Sequence, residues 1–166
     1  MDVRVRACGL LTNGKGQILL VVDKLSDGSG YWWGPPGGGM EASDHCLVDC
    51  VKREFLEETG LRVDVGSLAY VSEYVDKAAD IHHVELFFEV HSPLGVLHEL
   101  DQDSPPIGGD VRRYARWMTK ADMNQKTVYP EILKDEFWNR RNRVETRAEY
   151  IGICQGQQYE IHQHTN

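Results

Sequence analysis

Residues Gly37 to Leu61, GGGMEASDHCLVDCVKREFLEETGL, hold a glycine run, a helix and a helix stop in one stretch. Ser43 is a good N-cap, Asp44 suits the positive end of a helix dipole, and Gly60 stops a helix predicted to run to Thr59. Leu47, Val48, Val51 and Phe55 fall at helical spacing and make one apolar stripe, the pattern of a helix laid on a sheet. Glu54, Glu57 and Glu58 stand at i, i+3 and i+4, which sets three carboxylates on one side of that helix.

Like charges at this spacing repel, at about 0.2–0.5 kcal/mol per pair, so the arrangement calls for a cation over it. Oxygen-only donors suit magnesium or manganese, whereas zinc prefers nitrogen or sulfur. Arg53, four residues before Glu57, is placed to hold that carboxylate in one rotamer. A Glu-rich helix face with an Arg is, by itself, an ordinary solvated surface. The glycines upstream change that weighting, because Gly37, Gly38 and Gly39 let backbone pass close to a phosphate or a metal without side-chain hindrance.

Outward from this stretch, Val3–Thr12 and Gln17–Lys24 read as two antiparallel strands joined through the turn residues Asn13-Gly14-Lys15-Gly16. Tyr31 to Gly39 reads as a shaped loop, its prolines and glycines forbidding helix. Leu61–Val75 and Ile81–His91 read as strands with a hairpin over Asp76 to Asp80. Ser92 to Asp110, rich in proline and glycine, reads as a long loop and a candidate lid. Val111–Met118 reads as a strand, Pro130–Arg141 as a helix and Arg147–Cys154 as a last strand. The expected class is α+β, a mixed sheet flanked by helices in an α/β/α sandwich, with residues 1–166 as a single domain.

A net charge of -8 argues against broad attachment to nucleic-acid backbones or anionic membranes, since both need a positive face. A small anionic substrate stays compatible, provided a cation or a few placed Arg residues neutralise it locally. Cys8, Cys46, Cys50 and Cys154 show no CxxC pair or zinc-type spacing, and Cys46 and Cys50 read as small packing residues. The longest aliphatic run, Ile18 to Val22, falls far short of a membrane span, and no signal-peptide core is present, so cytoplasmic residence is expected.

The spacing of Gly39, five residues, His45, seven residues, then Arg53-Glu54-Phe55-Leu56-Glu57-Glu58-Thr59-Gly60-Leu61 resembles the Nudix box over its full 23 residues. The resemblance implies hydrolysis, by water, of a nucleoside diphosphate linked to another moiety. It implies Mg2+, with Mn2+ as substitute, held by Glu54, Glu57 and Glu58, and Glu58 as first choice of general base. Glu99, with Asp101 and Asp103 in the long loop, is the second choice. The family usually has glutamate where this chain has His45; either the adjacent Asp44 takes that role or the position is lost.

The substrate stays open among nucleoside triphosphates, nucleotide sugars and dinucleoside polyphosphates. The downstream proline of ADP-ribose-cleaving members is absent, no proline falling between Pro36 and Pro93. Tyr31, Trp32 and Trp33 read as core before base-stacking, and His82 and His83 as strand-surface residues. Arg4, Arg6, Arg112 and Arg113 are candidate phosphate grips. The expected partner is a small nucleotide, with no extended nucleic acid and no membrane, the chain being a monomer or homodimer. The alternatives are a non-catalytic nucleotide-binding module and an RNA 5′-end pyrophosphohydrolase.

Overall fold

The strands, in chain order, are β1 (Asp2–Leu11), β2 (Ile18–Lys24), β3 (Tyr31–Gly34), β4 (Gly37–Gly39), β5 (Leu61–Asp76), β6 (Ile81–Gly95), β7 (Ala115–Met118) and β8 (Glu149–Ile153). The helices are α1 (Leu47–Thr59), α2 (Lys120–Met123) and α3 (Glu136–Arg140), with a 3-10 turn over Glu131–Lys134 before α3. The computed structural model describes residues 1–24, 30–77, 79–98, 114–140 and 147–153.

Five strands form a mixed sheet in the order β4-β1-β6-β5-β8, and three form an antiparallel sheet in the order β3-β2-β7. β1, between β4 and β6, contributes to both faces of the sheet because its side chains alternate. Ala7 and Leu11 face α1, while Cys8 and Leu10 join the layer that contains residues of the second sheet and Phe137 of α3. The apolar stripe of α1 docks on the first of these faces, with Cys50, Val51 and Phe55 fully buried. Gly9 makes room for it, since a Cβ there would lie 2.5 Å from the Phe55 ring. Burying such a side chain stabilises the fold by about 1.5–3 kcal/mol, which holds the helix at a fixed height on the sheet. The helix then stops where expected. Gly60 adopts φ 76 and donates its N–H to Leu56, and the Thr59 hydroxyl donates to the Phe55 carbonyl.

The predicted opening hairpin is reduced to its turn. Asn13 Oδ1 accepts from the amides of Lys15 and Gln17, and Thr12 makes one antiparallel bridge with Ile18. Beyond that bridge the strands part into different sheets, because both edges of β1 are already taken by β4 and β6. Tyr31 to Gly39 is likewise not a loop. It is two short strands, β3 on β2 and β4 on β1, and Pro35-Pro36 marks where the chain crosses from one sheet to the other.

α1 begins at Leu47, with Cys46 as N-cap and no side-chain cap, rather than at Ser43. Residues 41–46 instead form a turn in which Asp44 N–H donates to the Glu41 carbonyl and Glu41 N–H to the Asp44 carboxylate. Cys46 is exposed and Cys50 buried, so only the second is a packing residue. Ser92–Gly95, assigned to the loop, continues β6: Ser92 at φ 54 and a register shift opposite it carry Pro93 within the ladder. The predicted helix Pro130–Arg141 is broken at Asp135, φ -144, into a 3-10 turn and α3. The short α2, capped reciprocally by Thr119 and Asp122, went unread. β7 and β8 fall within the predicted stretches, and β5 runs one residue past its predicted end, to Asp76, which pairs with Ile81. The rest of the candidate lid from residue 99 onward, and the first residues of the predicted strand at 111, lie outside the described residues. No helix among the described residues is long and apolar enough to cross a membrane.

Candidate active site

β4 is an edge strand, and two of its three glycines lie against a charged side chain. A methyl on Gly38 would overlap the Glu54 carboxylate, and one on Gly39 would overlap the Arg4 guanidinium. A methyl on Gly37 would come 2.5 Å from the Ala7 carbonyl oxygen of β1. None of the three has a positive φ, so glycine is required here for space and not for backbone freedom. Gly37 has both peptide groups taken by side chains. Its N–H donates to Glu58 Oε2 at 2.9 Å, and its carbonyl accepts from Arg6 Nη2 at 3.4 Å.

Arg53 is the hub that fixes the front of this site. Its Nε and Nη2 donate to the two oxygens of Asp44 at 3.0 and 2.9 Å, a bidentate fork. Nη1 donates to Glu54 Oε1 at 2.9 Å and reaches Glu57 Oε2 at 3.4 Å, while Nη2 also donates to the Gly39 carbonyl at 3.1 Å. The expected Arg53–Glu57 contact therefore exists, but the shorter bonds go to Asp44 and Glu54. The Asp44 side chain is only 3% exposed, and the Arg53 hydrogen bonds hold its carboxyl down at about 2. His45 is 93% exposed and sits 3.6 Å from Asp49. Asp44, not position 45, supplies the acid that answers Arg53.

Glu58 is the electrostatically unusual group. Burial pushes its carboxyl up to about 8, and the neighbouring Glu54 and Asp23 push the same way against the Gly37 amide and Arg6. At neutral pH it therefore holds a proton. Glu85 of β6 is also raised by burial, although Arg6 Nε donates to it at 3.2 Å. Glu54 and Glu58 both lie against β4, whereas the Glu57 side chain is 58% exposed and turned toward Arg53. Among the described residues no three acidic, His or Cys side chains gather as a ready-made metal cage. Glu54 and Glu58, both brought against β4, are nevertheless the oxygen-donor chemistry a hard divalent cation takes.

The remaining sequence candidates divide. Trp33 is 9% exposed and packed in the core, Trp32 is tilted against Tyr129 at 6.0 Å, and Tyr31 is 36% exposed. His82 pairs with Glu73. His83 is not a surface residue: it is 8% exposed, because its ring stacks on Tyr74 with centroids 5.7 Å apart. Glu99, Asp101, Asp103, Arg112 and Arg113 lie outside the described residues. Sequence reading missed the Arg6–Glu85 pair. Its signal was a lone acid inside the apolar run Val84 to Phe88, one strand away from an arginine.

Several solved structures share this fold. The E. coli ORF135 protein is 17% identical, with a TM-score of 0.63 over 86% of this chain and 93% of its own. A mutator MutT protein from Bacillus halodurans is 23% identical, with a TM-score of 0.59 over 89% of this chain and 86% of its own. An ADP-ribose pyrophosphatase from Streptococcus suis is 16% identical, with a TM-score of 0.55 over 89% of this chain and 98% of its own. Comparison with curated proteins gives no match. The family model described as NUDIX domain matches residues 2–136, a span that holds the glycine strand, the carboxylate helix and both sheets save β8. The chain therefore belongs to the Nudix family, as a hydrolase of phosphoric anhydride bonds.

Proposed function

We propose that the chain is a magnesium-dependent pyrophosphohydrolase that uses water to cleave a nucleoside diphosphate linked to a further group, at the free edge of β4. The observation that carries this reading is Glu58, whose Oε2 accepts from the Gly37 amide, beside a second carboxylate, Glu54, that fills the space over Gly38. Glu54, Glu57 and Glu58 would hold the ion, with Mn2+ able to replace Mg2+. When bound, the cation neutralises pyrophosphate oxygens and acidifies a water.

The chain's own residues supply the rest. Arg53 restrains Glu54 and Glu57 through hydrogen bonds, and Asp44 fixes Arg53. Gly37 and Gly38 carry no side chain, which leaves room for Glu58 and Glu54 to lie against the strand. Glu58 is the assigned general base, with Glu99 as the alternative. The substrate is a small nucleotide, among triphosphates, nucleotide sugars and dinucleoside polyphosphates, and the acidic net charge of -8 disfavours a long nucleic acid. Residues 1–166 act as one domain, as monomer or homodimer, in the cytoplasm.

The test is hydrolysis of a nucleotide panel with magnesium in oxygen-18 water, by the wild type and by Glu58→Gln and Glu99→Gln. The expected result is a label on one phosphate product, turnover abolished by chelation, and a large loss in Glu58→Gln. Full activity in Glu58→Gln would overturn the assignment of the base, and no hydrolysis of any panel member would overturn the proposed activity.

A further inference from the structure

A strand of three glycines has no side chain of its own to pack, and glycine loses more backbone freedom on folding than any other residue. β4 is held instead through its carbonyls, each taken by a donor from another element. The Gly39 carbonyl accepts from Arg53 Nη2 at 3.1 Å and the Gly38 carbonyl from Cys50 Sγ at 3.5 Å, both donors belonging to α1. The Gly37 carbonyl accepts from Arg6 Nη2 at 3.4 Å. Arg6 does not come from the helix. It precedes Ala7 on β1, and since Ala7 faces α1, alternation puts Arg6 on the other face of the sheet.

Arg6 is itself fixed. Register sets it beside Glu85 of β6, and its Nε donates to Glu85 Oε1 at 3.2 Å, with the two side chains 24% and 19% exposed. An ion pair withdrawn this far from water loses in hydration about what it gains in attraction, so stability does not account for it. Geometry does. The guanidinium is a rigid planar fork, so tying Nε to Glu85 fixes where Nη2 points, and it points at Gly37. The N–H of the same glycine donates to Glu58 Oε2 at 2.9 Å, the only hydrogen bond of the Glu58 carboxylate among the described residues. Arg53 restrains Glu54 and Glu57 and does not reach Glu58, so the Gly37 amide carries that task alone.

We propose that Glu85 and Arg6 are positioning residues for the hydrolysis: Glu85 aims Arg6, Arg6 holds the Gly37 carbonyl, and the Gly37 amide holds Glu58 in the orientation the reaction uses. This rests on the proposed role of Glu58, and it gives Arg6 a task other than gripping phosphate. The contacts run from β6 through β1 and β4 to α1, so three strands set the orientation of one helix side chain. A carboxylate loose by an ångström at a reacting centre costs rate and not binding, which is the signature to look for.

The experiment pairs steady-state kinetics, on the nucleotide turned over fastest with magnesium, with the nitrogen-15 resonance of the Gly37 amide in metal-free protein. Arg6→Lys keeps the charge, but one ammonium cannot copy the fork. It is expected to lower kcat by about 10–100-fold, with KM changed by less than about threefold. The double variant Arg6→Met with Glu85→Leu removes the pair without stranding either charge, and is expected to lose kcat to the same extent. Glu85→Gln, which still offers an oxygen to Arg6 Nε, is expected to keep most of the rate. In the first two variants the Gly37 amide should shift toward its position in Glu58→Ala, where its acceptor is gone. A raised KM at unchanged kcat would make Arg6 a phosphate contact, and an unmoved Gly37 amide in folded Arg6→Lys would break the chain of contacts; either result overturns the proposal. If no nucleotide is hydrolysed, the hydrolytic reading fails, and the amide resonance alone decides whether Glu85 and Arg6 position Glu58.

Discussion

The two sides of α1 are built on opposite terms. Toward the sheet, Val51 and Phe55 are fully buried against apolar neighbours and the seat at Gly9, with no charge to satisfy. Toward β4, the same helix carries Glu54 and Glu58, where one acid is pushed up to about 8 and Gly38 leaves room for the Glu54 carboxylate. The first side gains free energy on folding; the second costs some. That difference shows what the apolar face is for: it fixes the helix so firmly that an electrostatically unfavourable pair can be kept against the glycine strand.

The comparison breaks if the two sides fail together. Glu58→Gln, an isosteric change, is expected to lower turnover by about 10²–10⁴-fold if Glu58 is the base. At neutral pH its melting temperature should stay near that of the wild type, because the native carboxyl is already uncharged. The sign of the pH effect follows from the same group. Its folded pKa of about 8 lies above the ordinary 4.5, so its contribution to stability is complete below 4.5 and lost as pH rises through 8. Metal-free wild type should therefore melt lower at pH 9 than at pH 6 by more than Glu58→Gln does, read by thermal melts in chelator. Phe55→Ala probes the other side. It is expected to cost about 3–5 kcal/mol in denaturant unfolding, with the cavity left beside Gly9, and any activity that remains should fall with the folded fraction. A Phe55 variant that keeps full stability would show that the apolar face does not hold the helix.

Much of α1 was legible because its signals are local. The stripe through Val51 and Phe55, the stop at Gly60 and the carboxylate spacing all lie within five turns of sequence, and the structure keeps them. What failed was non-local. Gly37 to Gly39 look like a loop until β1 is known to offer them an edge, and Val3–Thr12 looks like half of a hairpin until β6 and β4 claim both its sides. Asp44 read as a helix-start residue because local propensity favours it there. A fork to Arg53, nine residues on, won instead. His83 gave no sequence signal of burial, since its cover comes from a ring on another strand.

Gly38→Ala sharpens the comparison at the contact between strand and acid. The added methyl overlaps the Glu54 carboxylate, a flexible side-chain end, so the fold can yield by turning Glu54 away. The expected outcome is a loss of turnover of about 100-fold, the cost of an ångström-scale misplacement. Destabilisation should stay within about 1–3 kcal/mol, the usual range for an overpacked site. Steady-state kinetics and denaturant melts on one preparation check both.

Asp44→Asn is expected to have the smallest effect and isolates the restraint on Arg53. The folded pKa of Asp44, about 2, lies below its ordinary 3.8, so its contribution to stability is present above 3.8 and lost as pH falls through 2. Acid melts of the wild type should therefore fall more steeply below pH 4 than those of Asp44→Asn. Near neutrality the consequence moves to the site. Arg53, released from its fork, keeps its bonds to Glu54 and Glu57 and gains freedom to lie across both, so it competes with a divalent cation for the same oxygens. The magnesium concentration for half-maximal turnover should rise by up to about tenfold, the worth of one charged hydrogen bond, while the rate at saturating magnesium changes little. An unchanged magnesium requirement with a lowered saturating rate would mean that Asp44 does not act through Arg53, and that the front of the helix is organised by some other contact.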